Sequence, residues 1–193
     1  PDVIYIDGFD YGASLSVLNR FADKTTIIGA RKCSQDTVEL CKYCKYIIMS
    51  KEFAEWASGG KIDFDNPGSL VSVYSTLLNK FIKKEILINL GNKGTLYISN
   101  NQIKVMPPIE TNVKDRTGAG DIFKGAFIYA IMQGYETEKA VTFANIAASL
   151  GVTKLGTRDA VPDISDILTY FNQKYPENVT PTAEANPTPD VNA

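Results

Sequence analysis

Histidine is absent from the 193 residues, which removes Ser-His-Asp and Cys-His catalysis, histidine zinc sites and histidine pH switches from this chain. Any proton chemistry falls to carboxylates, lysine or tyrosine. Cysteine is scarce: Cys33, Cys41 and Cys44 are an odd set in a chain too long to need disulfide staples. Cys41-Lys42-Tyr43-Cys44 has the C-x-x-C spacing, but no second pair completes a zinc site, and a helix end accounts for it. No apolar run approaches the ~20 residues of a membrane span, and no basic segment leading into an apolar one opens the chain, so the expectation is a soluble, cytoplasmic protein. Charge of one sign is also missing: 20 basic against 22 acidic residues leave a net −2, which offers no basic field for nucleic acid or an anionic membrane.

What is present suits one globular core, with 44% hydrophobic and 22% charged residues. Short apolar runs at 3–6, 25–29 and 46–49 alternate with helical patterns over 14–22, 36–43 (Asp36 as N-cap) and 51–57, which predicts a parallel sheet. A further amphipathic helix spans 70–81. Then the rhythm changes: strand candidates at 86–90, 95–98 and 102–106 are joined by connections so short that only antiparallel neighbours are possible. The predicted fold class is α/β, a parallel sheet finishing in an antiparallel meander, with helices on both faces. Helices follow to about 133, over 137–152, and over 164–175 with Asp163 as cap. Residues 176–193 hold four prolines and no Leu, Ile or aromatic residue, the composition of a disordered tail.

The chemistry concentrates in Asp115-Arg116-Thr117-Gly118-Ala119-Gly120-Asp121, where a helix starts. Two glycines flanking an alanine leave backbone N–H groups open to an anion, and Asp121 sits in the first helical turn. There it either complements the helix dipole or acts as a general base; local sequence leaves both open. The chain has no G-x-x-x-x-G-K-[ST], and no apolar strand precedes Gly118-x-Gly120, so neither a P-loop nor a Rossmann turn accounts for it. Leu90-Gly91-Asn92-Lys93-Gly94, a glycine-bracketed turn at a strand end, is either a second phosphate contact or an ordinary hairpin.

Residues 115–121 closely resemble the D-T-x-G-A-G-D signature of the ribokinase-like, or PfkB, carbohydrate kinases. The run from Asn89 to Gly94 resembles that family's T-L-G-x-x-G nucleotide segment. Asn145-Ile146-Ala147-Ala148-Ser149, followed by Gly151, Val152, Thr153, Lys154, Gly156 and Pro162, resembles its N-A-A-A…G-V-T-K-x-G…P region. The resemblance runs over about 3–175 and implies ATP-dependent phosphoryl transfer to a sugar or polyol hydroxyl. Asp121 would be the general base, and Gly118, Ala119 and Gly120 would form the anion hole. Asn89, Gly91, Lys93, Gly94 and Asn145 would bind the nucleotide, with Mg2+. Asp115, Thr117, Gly151, Lys154 and Gly156 match positions that hold a monovalent cation such as K+ in some members.

There are departures from the pattern. Arg116 replaces the commoner Thr, free to face solvent or an anionic substrate, and Asn89 stands where Thr is usual. In the N-x-x-E segment linked to magnesium, Ser50 takes the Asn place and Phe53 the Glu place, with Glu52 and Glu55 nearby. The resemblance also implies that residues 1–175 are the C-terminal, nucleotide-binding part of a longer kinase, without the N-terminal strands, lid and sugar-choosing residues. An isolated part of that kind is expected to be inactive and to pair with another chain through an exposed sheet edge. The alternative is a non-catalytic nucleotide-binding or regulatory remnant of such a kinase.

Overall fold

The computed structural model describes residues 1–176. Six strands form one sheet in chain order: β1 (Val3–Ile6), β2 (Thr25–Ala30), β3 (Tyr46–Ser50), β4 (Glu85–Asn89), β5 (Thr95–Ser99) and β6 (Gln102–Met106). β1 to β4 pair parallel, and β5 and β6 add antiparallel. The helices are α1 (Tyr11–Arg20), α2 (Gln35–Tyr43), α3 (Lys51–Ser58), α4 (Pro67–Lys80), α5 (Ala119–Met132), α6 (Thr137–Gly151) and α7 (Ile164–Lys174). Among the described residues no helix is long and apolar enough to cross a membrane. The expected disordered tail falls on residues outside the described ones, Pro176 excepted.

Successive strand residues point to opposite faces, so each buried strand feeds two cores. Ile28, Ile47, Met49, Ile86 and Ile88 pack with α1 to α4. Ile27, Tyr46, Ile48 and Leu87 pack with α5, α6 and α7. The result is a three-layer sandwich with the sheet in the middle. The β5–β6 hairpin turns on Asn100 and Asn101, both left-handed with φ of 51° and 58°. Asparagine tolerates that conformation, which matches the twist of the paired strands.

The expected N-cap of α2 was Asp36; the structure gives the role to Ser34, whose Oγ accepts from Thr37 N, leaving Asp36 in the first turn to complement the dipole. α1 and α4 start earlier than expected, at Tyr11 and Pro67, because Asp10 and Asn66 cap them upstream of the first visible apolar periodicity. Asp163 is the N-cap of α7 by position but makes no side-chain capping bond. Cys41 and Cys44 are buried in the core. Burial raises both thiols, Cys44 to about 12, so neither is a thiolate near neutrality.

α6 is fastened to the hairpin through Glu138, which accepts from Ser99 and from Lys104 Nζ at 3.2 Å. The Ser99 hydrogen bond, opposed by burial and aided by Lys104, holds this carboxyl below its ordinary range. A depressed folded pKa means stability present above the unfolded value of about 4.3 and lost as pH falls through the folded one. Glu138→Gln is therefore expected to unfold at lower urea than the parent at pH 7, with a smaller gap at an acidic pH below the ordinary carboxylate range. Paired urea titrations at the two pH values measure this; a constant gap would show that the carboxylate charge does not fasten α6.

Candidate active site

The carboxyl ends of β2, β3 and β4 open on one side of the sheet, where ligands of open α/β folds bind. Arg31 follows β2, Ser50 ends β3 ahead of Lys51 and Glu52, and Asn89 ends β4 ahead of Leu90 and Gly91; all line a cavity of about 660 Å³. Its far wall is the start of α5, at Gly118, Gly120 and Asp121, with Lys124 and Thr157. A second cavity, about 560 Å³, lies on the other side of the same helix start, between Ile109, Val113, Asn145, Ala148, Ser149 and Val152. Gly91, Arg116 and Gly120 line both cavities. They form the ridge between them.

Gly118 is the N-cap of α5, left-handed at φ 79°, with no side-chain cap. Glycine suits that φ, and a Cβ would also stand a tight 3.2 Å from Thr157 Cγ2. Ala119 N donates to Arg116 O at 3.3 Å, and Asp121 N to Gly118 O at 2.9 Å. Among the described residues no backbone acceptor meets the N–H of Gly118 or Gly120, and a Cβ on Gly120 would project into open space. Of the three N–H groups expected to form an anion hole, those of Gly118 and Gly120 are open and that of Ala119 is turned to Arg116.

Asp121 has a side chain 67% exposed, its Oδ1 2.6 Å from Lys124 Nζ. Four cations, Arg31, Lys51, Arg116 and Lys124, face the larger cavity against Glu52 and Asp121. A chain of net charge −2 has thus gathered positive charge where the bare N–H groups are. Such an excess of positive charge favours an anion there.

The chain matches the family model described as pfkB family carbohydrate kinase over residues 9–164. The chain belongs to this family. Among pfkB-like relatives, a ribokinase of Staphylococcus aureus (strain COL) is 30% identical over 144 residues, which are 74% of this chain and 46% of the relative. The solved ribokinase of Thermotoga maritima superposes with a TM-score of 0.72 at 26% identity, over 89% of this chain and 57% of that one. The Arabidopsis thaliana ribokinase solved with ribose and ATP has a TM-score of 0.74 at 20% identity, over 88% and 55% of the two chains; at that identity the likeness is one of fold. The chain spans between 28% and 57% of the length of the curated relatives it matches.

The pfkB signature residues are not all free of protein partners, and not all of them line these two cavities. Asn145 lines the smaller cavity, but its Nδ2 donates to Met106 O at 3.3 Å and its Oδ1 accepts from Thr95 at 3.0 Å. The same Thr95 hydroxyl lies 3.2 Å from Asn89 Oδ1, so one proton ties β4, β5 and α6 together between the two cavities. Lys93 lines neither; its ammonium sits 5.5 Å from the centre of the Phe64 ring. Gly94 also stands apart from both, against the backbone of Met106 and Pro107.

Asp115, Thr117 and Gly156 do come together: Asp115 accepts from Thr117 N at 2.8 Å and from Gly156 N at 3.1 Å. These bonds, the side chain and backbone of Thr117 foremost, pull its carboxyl below the usual range. Gly151 O accepts from Lys154 N at 3.3 Å, and the Lys154 side chain belongs to a separate surface hollow with Asp166. Among the described residues no three acidic or cysteine side chains form a metal centre. In the N-x-x-E segment Ser50 caps α3 through Phe53 N at 3.1 Å. Phe53 is fully buried, leaving Glu52 as the carboxylate of that segment that lines the cavity. Sequence reasoning assigned no role to Arg31, Lys51, Lys124 or Thr157. The position of Arg31 just past a strand end, and the three-residue step from Asp121 to Lys124, were the available signals.

Proposed function

We propose that the full-length protein transfers the γ-phosphoryl group of ATP to a sugar or polyol hydroxyl, in the cytoplasm, and that residues 1–175 are the C-terminal part of its kinase domain. One observation carries this reading: a carboxylate in the first turn of α5 and two unpaired glycine N–H groups line the larger cavity, and one of those glycines, Gly120, also lines the smaller. The smaller cavity, with apolar walls at Ile109, Val113 and Val152, suits a nucleobase. Gly91, Gly118 and Gly120 then follow the phosphates to the larger cavity, where the acceptor enters. Asn89 and Asn145 shape the passage through Thr95, and Gly94 and Lys93 support it from outside.

Asp121 takes the proton of the acceptor hydroxyl as its oxygen bonds to the γ-phosphorus. The bond to the bridging oxygen breaks, and its electron pair leaves on ADP. The N–H groups of Gly118 and Gly120 stabilise the charge on the phosphoryl oxygens. Mg2+ fits this donor set, with Glu52 and the phosphates as hard oxygen ligands, and supplies charge neutralisation when bound. For K+, the loops 115–117 and 151–156 offer backbone carbonyls, the Asp115 carboxylate being already occupied by two N–H groups. The free edge of β1 is where further strands of the same or another chain would pair.

The test is ATP consumption by the full-length gene product across a panel of sugars and polyols, with ATP-dependent change in melting temperature measured in parallel. Phosphorylation of one acceptor class supports the reading. A melting shift with ATP but no turnover on any acceptor favours the regulatory alternative, for which the burial of Phe53 in place of a family carboxylate is the supporting observation. No shift and no turnover overturns both.

A further inference from the structure

Lys124 lies outside the glycine-aspartate motif, yet it is the residue that touches Asp121. The two partners differ in freedom: the Asp121 side chain is 67% exposed and that of Lys124 only 12%. An ion pair three residues apart between two exposed side chains contributes little. Here one partner is fixed from outside the helix. The Lys124 stem passes over β2 at Gly29, where a Cβ would stand 3.1 Å from Lys124 Cδ. The Tyr5 side chain of β1 crosses the same glycine, which brings the Lys124 ammonium close enough to act on the Tyr5 hydroxyl. Tyr5 is pushed up by burial and pulled back by that ammonium, and being protonated at neutral pH it does not compete with Asp121 as a second anion. Phe123 and Phe127, buried in the core, hold the helix turn beneath.

Resting on the proposed function, we infer that Lys124 is a positioning residue for the base. It selects one rotamer of an exposed aspartate that would otherwise sample several, with its own place set by Tyr5 and Gly29. Because Lys124 engages Oδ1, Oδ2 is the oxygen left to receive the acceptor proton. β1 is thereby coupled to catalysis: Tyr5 holds Lys124, and Lys124 holds Asp121.

The test uses the full-length gene product with Lys124→Met, which keeps the stem and removes the ammonium, Lys124→Arg and Tyr5→Phe. Misplacing a catalytic group commonly costs up to about 100-fold, so Lys124→Met is expected to lower kcat about 10- to 100-fold with KM for ATP and acceptor nearly unchanged. Lys124→Arg should restore most of the loss, and Tyr5→Phe should show a smaller one. An unchanged kcat overturns the inference, as does a loss confined to KM for ATP, which would make Lys124 a phosphate contact. A second readout needs no turnover. Carbodiimide treatment of the folded protein should couple Asp121 to Lys124, seen by mass spectrometry as loss of one water and of tryptic cleavage after Lys124, with lower yield in Tyr5→Phe. No coupling in folded protein overturns the clamp; coupling in a protein with no kinase activity keeps the clamp and removes the proposed function.

Discussion

Asp121→Asn is expected to lower kcat for phosphoryl transfer by about 10²- to 10⁴-fold, the usual contribution of a positioned general base, while ATP still binds. The substitution keeps the volume and the helix position. It removes the carboxylate proposed to accept the acceptor's proton. The N–H groups of Gly118 and Gly120 are backbone and survive the change, as do Arg31, Lys51 and Arg116 in the cavity, so the anion site persists. Kinetically, kcat and kcat/KM should fall together, the sign of an interaction made only in the transition state. Steady-state kinetics and calorimetric titration of ATP on the same preparation separate the effects. Full activity in the variant would remove the base assignment; lost ATP binding with unchanged kcat would make Asp121 part of the nucleotide site instead.

The architecture was largely legible because it follows from short-range rules. Alternation of buried strands with helices requires a parallel sheet, and the turns at 91–94 and 100–101 allow only antiparallel neighbours; both hold in the structure. Helix starts were less legible where two capping residues compete, as Ser34 and Asp36 do, or where the cap lies upstream of the apolar pattern, as Asn66 does. The site divides along the same line. Gly118, Gly120 and Asp121 are contiguous at one helix start, so sequence alone could group them. Lys124 depends on Tyr5, which lies in β1 at the other end of the chain order from α5, and Asn145 on Thr95 and Met106. Such partners are set by packing of α5 and α6 on the sheet, which residue spacing along the chain does not encode.

Lys93 and Gly94 carry the same lesson in the opposite direction. A glycine-bracketed lysine at a strand end reads as a phosphate contact, but the turn at 91–93 directs the ammonium to Phe64. The cations that do face the cavity come from elsewhere: Arg31 from the end of β2, Lys51 from the start of α3, Arg116 from the loop before α5 and Lys124 from α5. Positive charge is supplied to the site by convergence of the layers rather than by one motif.

Gly94→Ala tests whether that glycine is architectural. Its φ of 93° and ψ of −142° lie where side chains other than hydrogen are all but excluded. A Cβ built there collides with the Met106 carbonyl oxygen and stands 2.9 Å from both Met106 C and Pro107 Cα. These are backbone atoms of β6 and the segment leaving it, and they cannot rotate away. The glycine also closes the hairpin through its carbonyl, which accepts from Leu90 N at 2.8 Å. Backbone strain and overlap together predict a loss of about 3 kcal/mol, or about 6–12 °C in melting temperature for a domain of this size. The loss should be equal with and without saturating ATP, since Gly94 lines neither cavity. Urea unfolding and thermal melting at several ATP concentrations measure both quantities. A variant as stable as the parent but weakened in ATP binding would return Gly94 to the nucleotide contacts; a destabilised variant whose ATP affinity is intact places it in the frame that holds β5 and β6 beneath the site.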